Sequence, residues 1–251
     1  AQMIPALEPL AQASGARIVF SCGFDSIPFD LGVVFVQDEA ERRFGQPLRH
    51  VHGRVKRMKG GASGGTIASM LATLGAIRAT PALARTLRDP FALTPGFKGP
   101  RQPPGSDAAY DELAHSWTGP FVMAPINTKN VHRTNALRGH PWGQDFVYDE
   151  RMMTGDGDKG RARARNLARM SALQMGLLSF APTRALLKAF ALPKPGQGPS
   201  AAEQEKGHYE VLFIGESASG QTLSATVKGD RDPGYGSTCK LVAEAALCLA
   251  R

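Results

Sequence analysis

The feature that most restricts how this chain folds is a junction close to its start. A β-prone apolar run, Ile18-Val19-Phe20, passes into the loop Ser21-Cys22-Gly23-Phe24-Asp25-Ser26-Ile27-Pro28 and then into an apolar helical stretch. A short helical stripe, Met3, Leu7 and Leu10, and a Ser14-Gly15 break come before it. Helix, tight turn, buried strand and Gly-containing loop, in that order, is the rhythm of a parallel α/β sheet. In such sheets ligands bind beyond the carboxyl ends of the strands. Gly23 permits close backbone approach, Asp25 offers an acceptor and Ser26 a donor. Asp30 caps the next helix in the competing reading, in which the loop is a structural turn.

The rest of the chain divides by its periodicity. Leu31 to Phe44 reads as a helix stopped by Gly45 and Pro47. From His50 to Met58 residues alternate, with His50, His52, Arg54 and Lys56 on one face and Val51, Gly53 and Val55 on the other. That strand shows its basic face either to solvent or to an anionic ligand. Ile67, Met70, Leu71, Leu74 and Ile77 form a helical apolar stripe, and a short helix follows Pro81. Residues 94–107 contain four prolines and three glycines and read as a long surface loop. Phe121 to Asn127 and Val131 to Leu137 read as irregular or strand segments, and Asp145 to Met153 as a strand. A helical stretch from Lys159 to about Leu192, broken near Pro182, is basic first and apolar afterwards, which suits core or dimer packing, or a membrane interface. After a Pro/Gly linker over Pro193 to Ser200, Tyr209 to Ile214 and Leu223 to Val227 read as a β-hairpin, and a helix from Ser237 ends the sequence.

Several function classes are disfavoured. No run approaches the roughly 20 apolar residues that span a bilayer, and the first residues have no secretory pattern. Cys22, Cys239 and Cys248 lack the spacing of a disulfide framework or a zinc site, which fits a reducing cytoplasm. The net charge of +8 is largely dispersed, and its compact cluster, Lys159, Arg161, Arg163, Arg165 and Arg169, lacks interleaved aromatics. Nucleic acid is therefore not the expected partner; the charge fits an anionic cofactor or acyl substrate, or a solvated face. H-E-x-x-H does not occur. His50 and His52 share a strand face but have no third metal ligand in view, so no metal site is assigned.

Two further Gly-containing loops join apolar segments to helix starts. Ser63-Gly64-Gly65-Thr66 exposes N–H groups that suit an anion, or simply caps a helix. Asp230-Arg231-Asp232-Pro233-Gly234-Tyr235-Gly236-Ser237-Thr238 is a turn followed by a capped helix. Tyr235, between two glycines, is placed either for ligand contact or for packing over a neighbouring loop.

These stretches resemble, in the same order along nearly the whole chain, the saccharopine-dehydrogenase-like oxidoreductases, a group that includes trans-acting enoyl reductases of lipid biosynthesis. The matching residues include Gly15 to Val19, Cys22 to Pro28, Ser63 to Thr66, Pro120 to Ala124, Asn127-Thr128, Arg133 to Leu137, Asp145 to Glu150, Asp232 to Gly236 and Glu244 to Cys248. The resemblance implies an α/β (α+β) fold: the end of a Rossmann-type parallel sheet plus a mixed-sheet substrate and dimerisation domain with flanking helices. Residues 1–45 would be the last part of the dinucleotide-binding domain, 46–228 the substrate domain, and 229–251 a loop and helix returning to the first part.

No full strand-turn-helix repeat lies ahead of Ile18, so the phosphate fingerprint of the cofactor, NAD or NADP, is expected upstream of Ala1, and these residues alone are expected to be inactive. The implied activity is hydride transfer to or from a C=C or C=N bond, with a lipid-type enoyl substrate in view. Cys22, Gly23, Phe24 and Asp25 would meet the nicotinamide, with Asp25 and Ser26 orienting it or the substrate. Ser63, Gly64, Gly65, Thr66, Asp232 and Ser237 would close on the substrate, and Tyr235 would donate the proton. A homodimer with peripheral lipid contact is the expected assembly. The competing class is a non-catalytic, lipid-surface scaffold that keeps the reductase fold.

Overall fold

The computed structural model describes residues 3–61, 63–180, 182–183 and 196–251. Its helices are α1 (Met3–Ser14), α2 (Ile27–Phe44), α3 (Gly64–Ala79), α4 (Leu83–Arg88), α5 (Ala124–Leu137), α6 (Gly157–Ser179), α7 (Ala201–Lys206) and α8 (Gly236–Ala250). The strands are β1 (Leu48–Lys59), β2 (Ala109–Asp111), β3 (Ser116–Pro120), β4 (Val147–Gly155), β5 (His208–Ser217) and β6 (Thr222–Gly229). They form one sheet in the order β2-β3-β4-β1-β5-β6, parallel at β1–β4 and antiparallel at every other pair. This is an α/β fold built on a mixed sheet, as expected.

The core lies between one face of the sheet and helices α2 and α5. Phe29, Val33, Val36 and Ala40 of α2 recur at three- and four-residue steps, so they share a stripe, and all are fully buried. That stripe meets Val51 and Val55 of β1 and Phe213 of β5. Gly32 sits between these turns because a Cβ there would come within 2.3 Å of the Phe213 ring. Gly45, in the left-handed region at φ 65°, ends α2, and its N–H donates to the Glu41 carbonyl. The buried Gln37 side chain then grips both backbone groups of Leu48, each at 2.8 Å, which fixes where β1 begins. The expected hairpin forms between β5 and β6, with Gly220 at φ 80° in its turn.

Two expectations are corrected, and two helical stripes lie more open than the core. Ile18-Val19-Phe20 makes no ladder pairing among the described residues and is exposed, because no strand lies beside it to take its backbone groups. The segment from Ala124 to Leu137 is one helix; Pro125 in its first turn pre-sets the backbone, and burial of its polar face against α2 and β4 overrides a weak helix propensity. The apolar stripe of α3 is at most half-buried, with only Gly64 buried in that helix. The second part of the long helical stretch does not enter the core as far as it is described: Met170, Leu173 and Leu177 of α6 are exposed. Residues 181 and 184–192 of that stretch, and 193–195 of the following linker, lie outside the described residues. No helix among the described residues is long and apolar enough to cross a membrane.

Candidate active site at the convergence of three glycine loops

The loop before α2 is drawn tight by its own backbone, with the Ser26 and Ile27 N–H groups both donating to the Gly23 carbonyl. Ser21 carries a positive φ of 63°, a strained conformation for a residue with a side chain. Phe24 anchors the loop: it is buried against Phe29 and Tyr209, with ring centroids 5.8 and 4.6 Å away. Its backbone N–H reaches across the chain to donate to Thr238 Oγ1 at 3.1 Å. Gly23 fits that contact, since a Cβ on it would lie 3.1 Å from Thr238 Cγ2.

The loop after β6 is organised by Asp232. Its carboxylate is fully buried and accepts from the N–H groups of Tyr235 (3.0 Å) and Gly236 (2.7 Å), while its carbonyl accepts from Ser237. The Ser237 hydroxyl donates to the Arg231 carbonyl, and the Thr238 hydroxyl to that of Pro233. Tyr235 is half-buried and packs edge-on over the neighbouring loop, where a Cβ on Gly198 would lie 2.2 Å from its ring.

The third loop joins the same junction. Gly60 lies under Pro233, and a Cβ on Gly234 would come within 2.9 Å of the Gly61 carbonyl. Ser63 caps α3 by accepting from the Thr66 N–H at 3.1 Å, the Gly64 N–H donates to Gln197, and Gly65 is exposed. The sequence-predicted residues of all three loops therefore meet at one end of the sheet. Cys22 is half-buried there and Asp25 is exposed, with desolvation raising the Asp25 carboxyl from its ordinary value.

Ser26 points the other way, into the protein. It does not cap α2; its hydroxyl accepts from Asn130 Nδ2 at 2.8 Å and donates to Asn127 Oδ1 at 3.4 Å. Asn127 Nδ2 in turn donates to Glu150 Oε2 at 2.9 Å, and the Tyr148 hydroxyl donates to Glu150 Oε1 at 2.8 Å. A continuous chain of buried side chains thus runs from the loop to β4. Burial pushes the Glu150 carboxyl up to about 8, against the hydrogen bonds from Tyr148 and Asn127, so it holds a proton at neutral pH. Burial likewise raises Asp30 to about 6 despite the Thr134 hydroxyl at 2.8 Å, and Asp30 Oδ1 is buried without a hydrogen-bond partner. Gly53 makes room for this cluster, because a Cβ there would lie 2.8 Å from the Tyr148 hydroxyl.

On the opposite face of β1 the charges are paired with carboxylates, Lys56 with Glu210 at the exposed end and Arg54 with two acids in the interior. Arg54 is 3% exposed and pairs with Asp111 at 2.5 Å and Asp149 at 2.8 Å. His50 and His52 stack at 3.8 Å, and Asp149 is the third group that the sequence did not reveal. The donor atoms of His50, His52 and Asp149 lie within 4.8 Å of one another, a spacing that suits a small cation. The place is already served by a positive group, as Arg54 Nη2 lies 2.6 Å from His52 Nδ1. Burial, with His50 and Arg54 beside it, lowers His52 to about 4, so it is neutral and accepts from the guanidinium. His50 and Arg54 hold Asp149 well below the usual carboxylate range in spite of its burial.

Asn127, Asn130, Tyr148 and Glu150 were not singled out by chemistry in the sequence. The signal available was an asparagine-rich face, Asn127, Asn130 and Asn135, which is legible only once that segment is known to be helical.

No family profile matches this chain, and no solved structure matches it. Curated proteins do. A protein of Mycobacterium tuberculosis named as a candidate trans-acting enoyl reductase is 38% identical, over 96% of this chain and 60% of its own length. Trans-acting enoyl reductases of Mycobacterium ulcerans and Mycobacterium bovis are each 34% identical over the same shares. The chain therefore spans about 60% of the length of the curated relatives it matches.

Proposed function

We propose that this chain is the substrate-side part of a nicotinamide-dependent reductase that saturates a C=C bond in an acyl substrate. The observation that carries the reading is likeness to trans-acting enoyl reductases over 96% of the chain. The meeting of three loops from distant parts of the sequence at one end of the sheet supports it, since ligands of open α/β sheets bind beyond strand ends.

The residues present fit only one end of such a cofactor. Gly23 is taken up by Thr238, and in the glycine-rich turn Gly155 to Gly160 between β4 and α6 the Asp156 carboxylate already accepts from the Gly157 N–H, at 2.7 Å, where a phosphate would need that donor. The cofactor's phosphates would be held by the part of the protein that these residues do not include, and the ring would lie along Cys22 and Asp25. The bound cofactor supplies the hydride.

The chain's own side chains position the substrate and manage the proton. Asp25 lies at the exposed tip of the loop, where it can orient either ligand. Ser26 acts from behind, holding the loop to Asn127 and Asn130. The 60–66 and 232–238 loops form the substrate wall, with Asp232 and Ser237 shaping it from inside. The Tyr235 hydroxyl is the proton donor to the second alkene carbon. The test is a stopped-flow comparison of the full-length protein with its Tyr235→Phe variant, using NADPH and a 2-enoyl thioester. A fall of about 10²-fold or more in the reduction step supports Tyr235 as donor, and an unchanged step removes that role.

A further inference from the structure

Helix α6 holds two different surfaces along one length. It seats on the sheet through Gly160 and Ala164, both buried, and through Leu167, which fills the space over Gly119 of β3. Beyond that contact Leu178 is its only buried residue. On the outward side, Met170, Leu173, Leu177 and the C-capping Phe180 are 53%, 55%, 39% and 62% exposed. Their three- and four-residue spacing puts them on a single stripe. Four large apolar side chains in water, in a row, are an uncompensated cost for a helix with no other role.

The same helix is strongly basic ahead of that stripe. Lys159, Arg163, Arg165 and Arg169 are exposed, and none has an ion-pair partner among the described residues. Arg161 differs, being held over the Trp117 ring at 5.3 Å. Asp158 is the only acidic residue in α6. Lys159 and Arg163 lead into Met170 and Leu177 on one side of the stripe, and Arg169 adjoins Leu173 and Phe180 on the other, at about 100° per residue.

We propose that this outward face of α6 seats the protein on an anionic lipid surface. The four apolar side chains enter the boundary between head groups and acyl chains, while the four free cations meet lipid phosphates. Charge decides among occupants. A second copy of this helix would offer the cations no carboxylates beyond Asp158 to pair with. A protein partner would need a contact of about 1,200 Å² or more, for which one narrow stripe is too small. A lipid surface needs neither symmetry nor a matching shape. The inference rests on α6 alone and stands whether or not the reductase reading holds.

The test is flotation of the full-length protein with phosphatidylcholine vesicles and with vesicles containing phosphatidylglycerol. Binding is expected to the anionic vesicles, to fall with added salt, and to drop roughly ten-fold in a Leu173→Glu/Phe180→Glu variant whose circular dichroism matches the wild type. Should that variant misfold, Arg163→Gln/Arg165→Gln/Arg169→Gln takes its place and is expected to lose the preference for anionic over neutral vesicles. The proposal is overturned if the wild type stays in solution with anionic vesicles, or if the variants float as it does. It is equally overturned if the apolar stripe proves to close a dimer that Leu173→Glu/Phe180→Glu splits.

Discussion

The Phe24 N–H and Thr238 Oγ1 lie 3.1 Å apart although 214 positions separate them in sequence. That bond closes the loop before α2 onto the turn before α8, and it brings two ends of the chain to one site. Removing the acceptor while keeping the shape, with Thr238→Val, is expected to cost about 1 kcal/mol in urea unfolding. The Phe24 amide should exchange faster in the variant, whereas amides of β1 and β5 should not.

Glu150 sets an alkaline limit on stability. Its ordinary value of 4.5 rises to about 8 on folding, so the folded state binds the proton more tightly. The contribution is fully present below about 4.5 and is lost as pH rises through about 8, on the order of 5 kcal/mol across that window. Asp30 acts in the same sense over a lower range, from 3.8 to about 6. Thermal unfolding of Glu150→Gln, which keeps the neutral shape, is expected to show a much flatter fall between about pH 6 and about pH 9. An alkaline fall as steep as in the wild type would remove Glu150 as its source.

Arg54 neutralises two buried carboxylates, Asp111 and Asp149. Replacing it with Met leaves both without their cation and is expected to destabilise the protein by roughly 3 to 5 kcal/mol. Asp149 would then lose the partner that helps to depress its carboxyl, and NMR titration of that group should show a higher midpoint. Acid sensitivity follows the depressed groups: stability supplied by Asp149 and Asp111 is present above their ordinary value of 3.8 and is lost as pH falls.

Gly32 tests the packing of α2 on the sheet. Alanine gains up to about 1 kcal/mol of helix propensity over glycine. Its methyl would stand 2.3 Å from the Phe213 ring, and overpacking of this kind costs about 1 to 3 kcal/mol. The clash is the larger effect, so Gly32→Ala is expected to lower the midpoint of unfolding. A Gly32→Ala/Phe213→Leu double variant should recover part of the loss.

Much of this architecture was legible in the sequence because local chemistry and tertiary structure agree there. Gly45 ends α2, Ser217 to Gly220 turns the β5–β6 hairpin, and alternation marks β1. The three glycine loops were recognisable one by one, but their meeting is a long-range event that no local pattern encodes. The reading failed where burial reverses a local preference. Asn127, Asn130 and Asn135 are weak helix formers in isolation, yet they lie on a helix because each of their side chains finds a buried partner. Arg54 looked like part of a solvated or ligand-facing row because Asp111 and Asp149 lie 57 and 95 positions away in sequence. Ile18 to Phe20 looked like a buried strand, and that composition is real, but all three side chains are exposed, with the Arg133 guanidinium 5.4 Å over the Phe20 ring.

The most direct test of the central claim is deuteride transfer in the full-length protein. NADPH carrying deuterium at the nicotinamide C4 would be mixed with a long-chain 2-enoyl thioester and the acyl product weighed by mass spectrometry. The account predicts a saturated product that has gained one deuterium, and a slower reaction when Asp25→Asn or Tyr235→Phe is present. Recovery of the unsaturated thioester with the nicotinamide still reduced would contradict it.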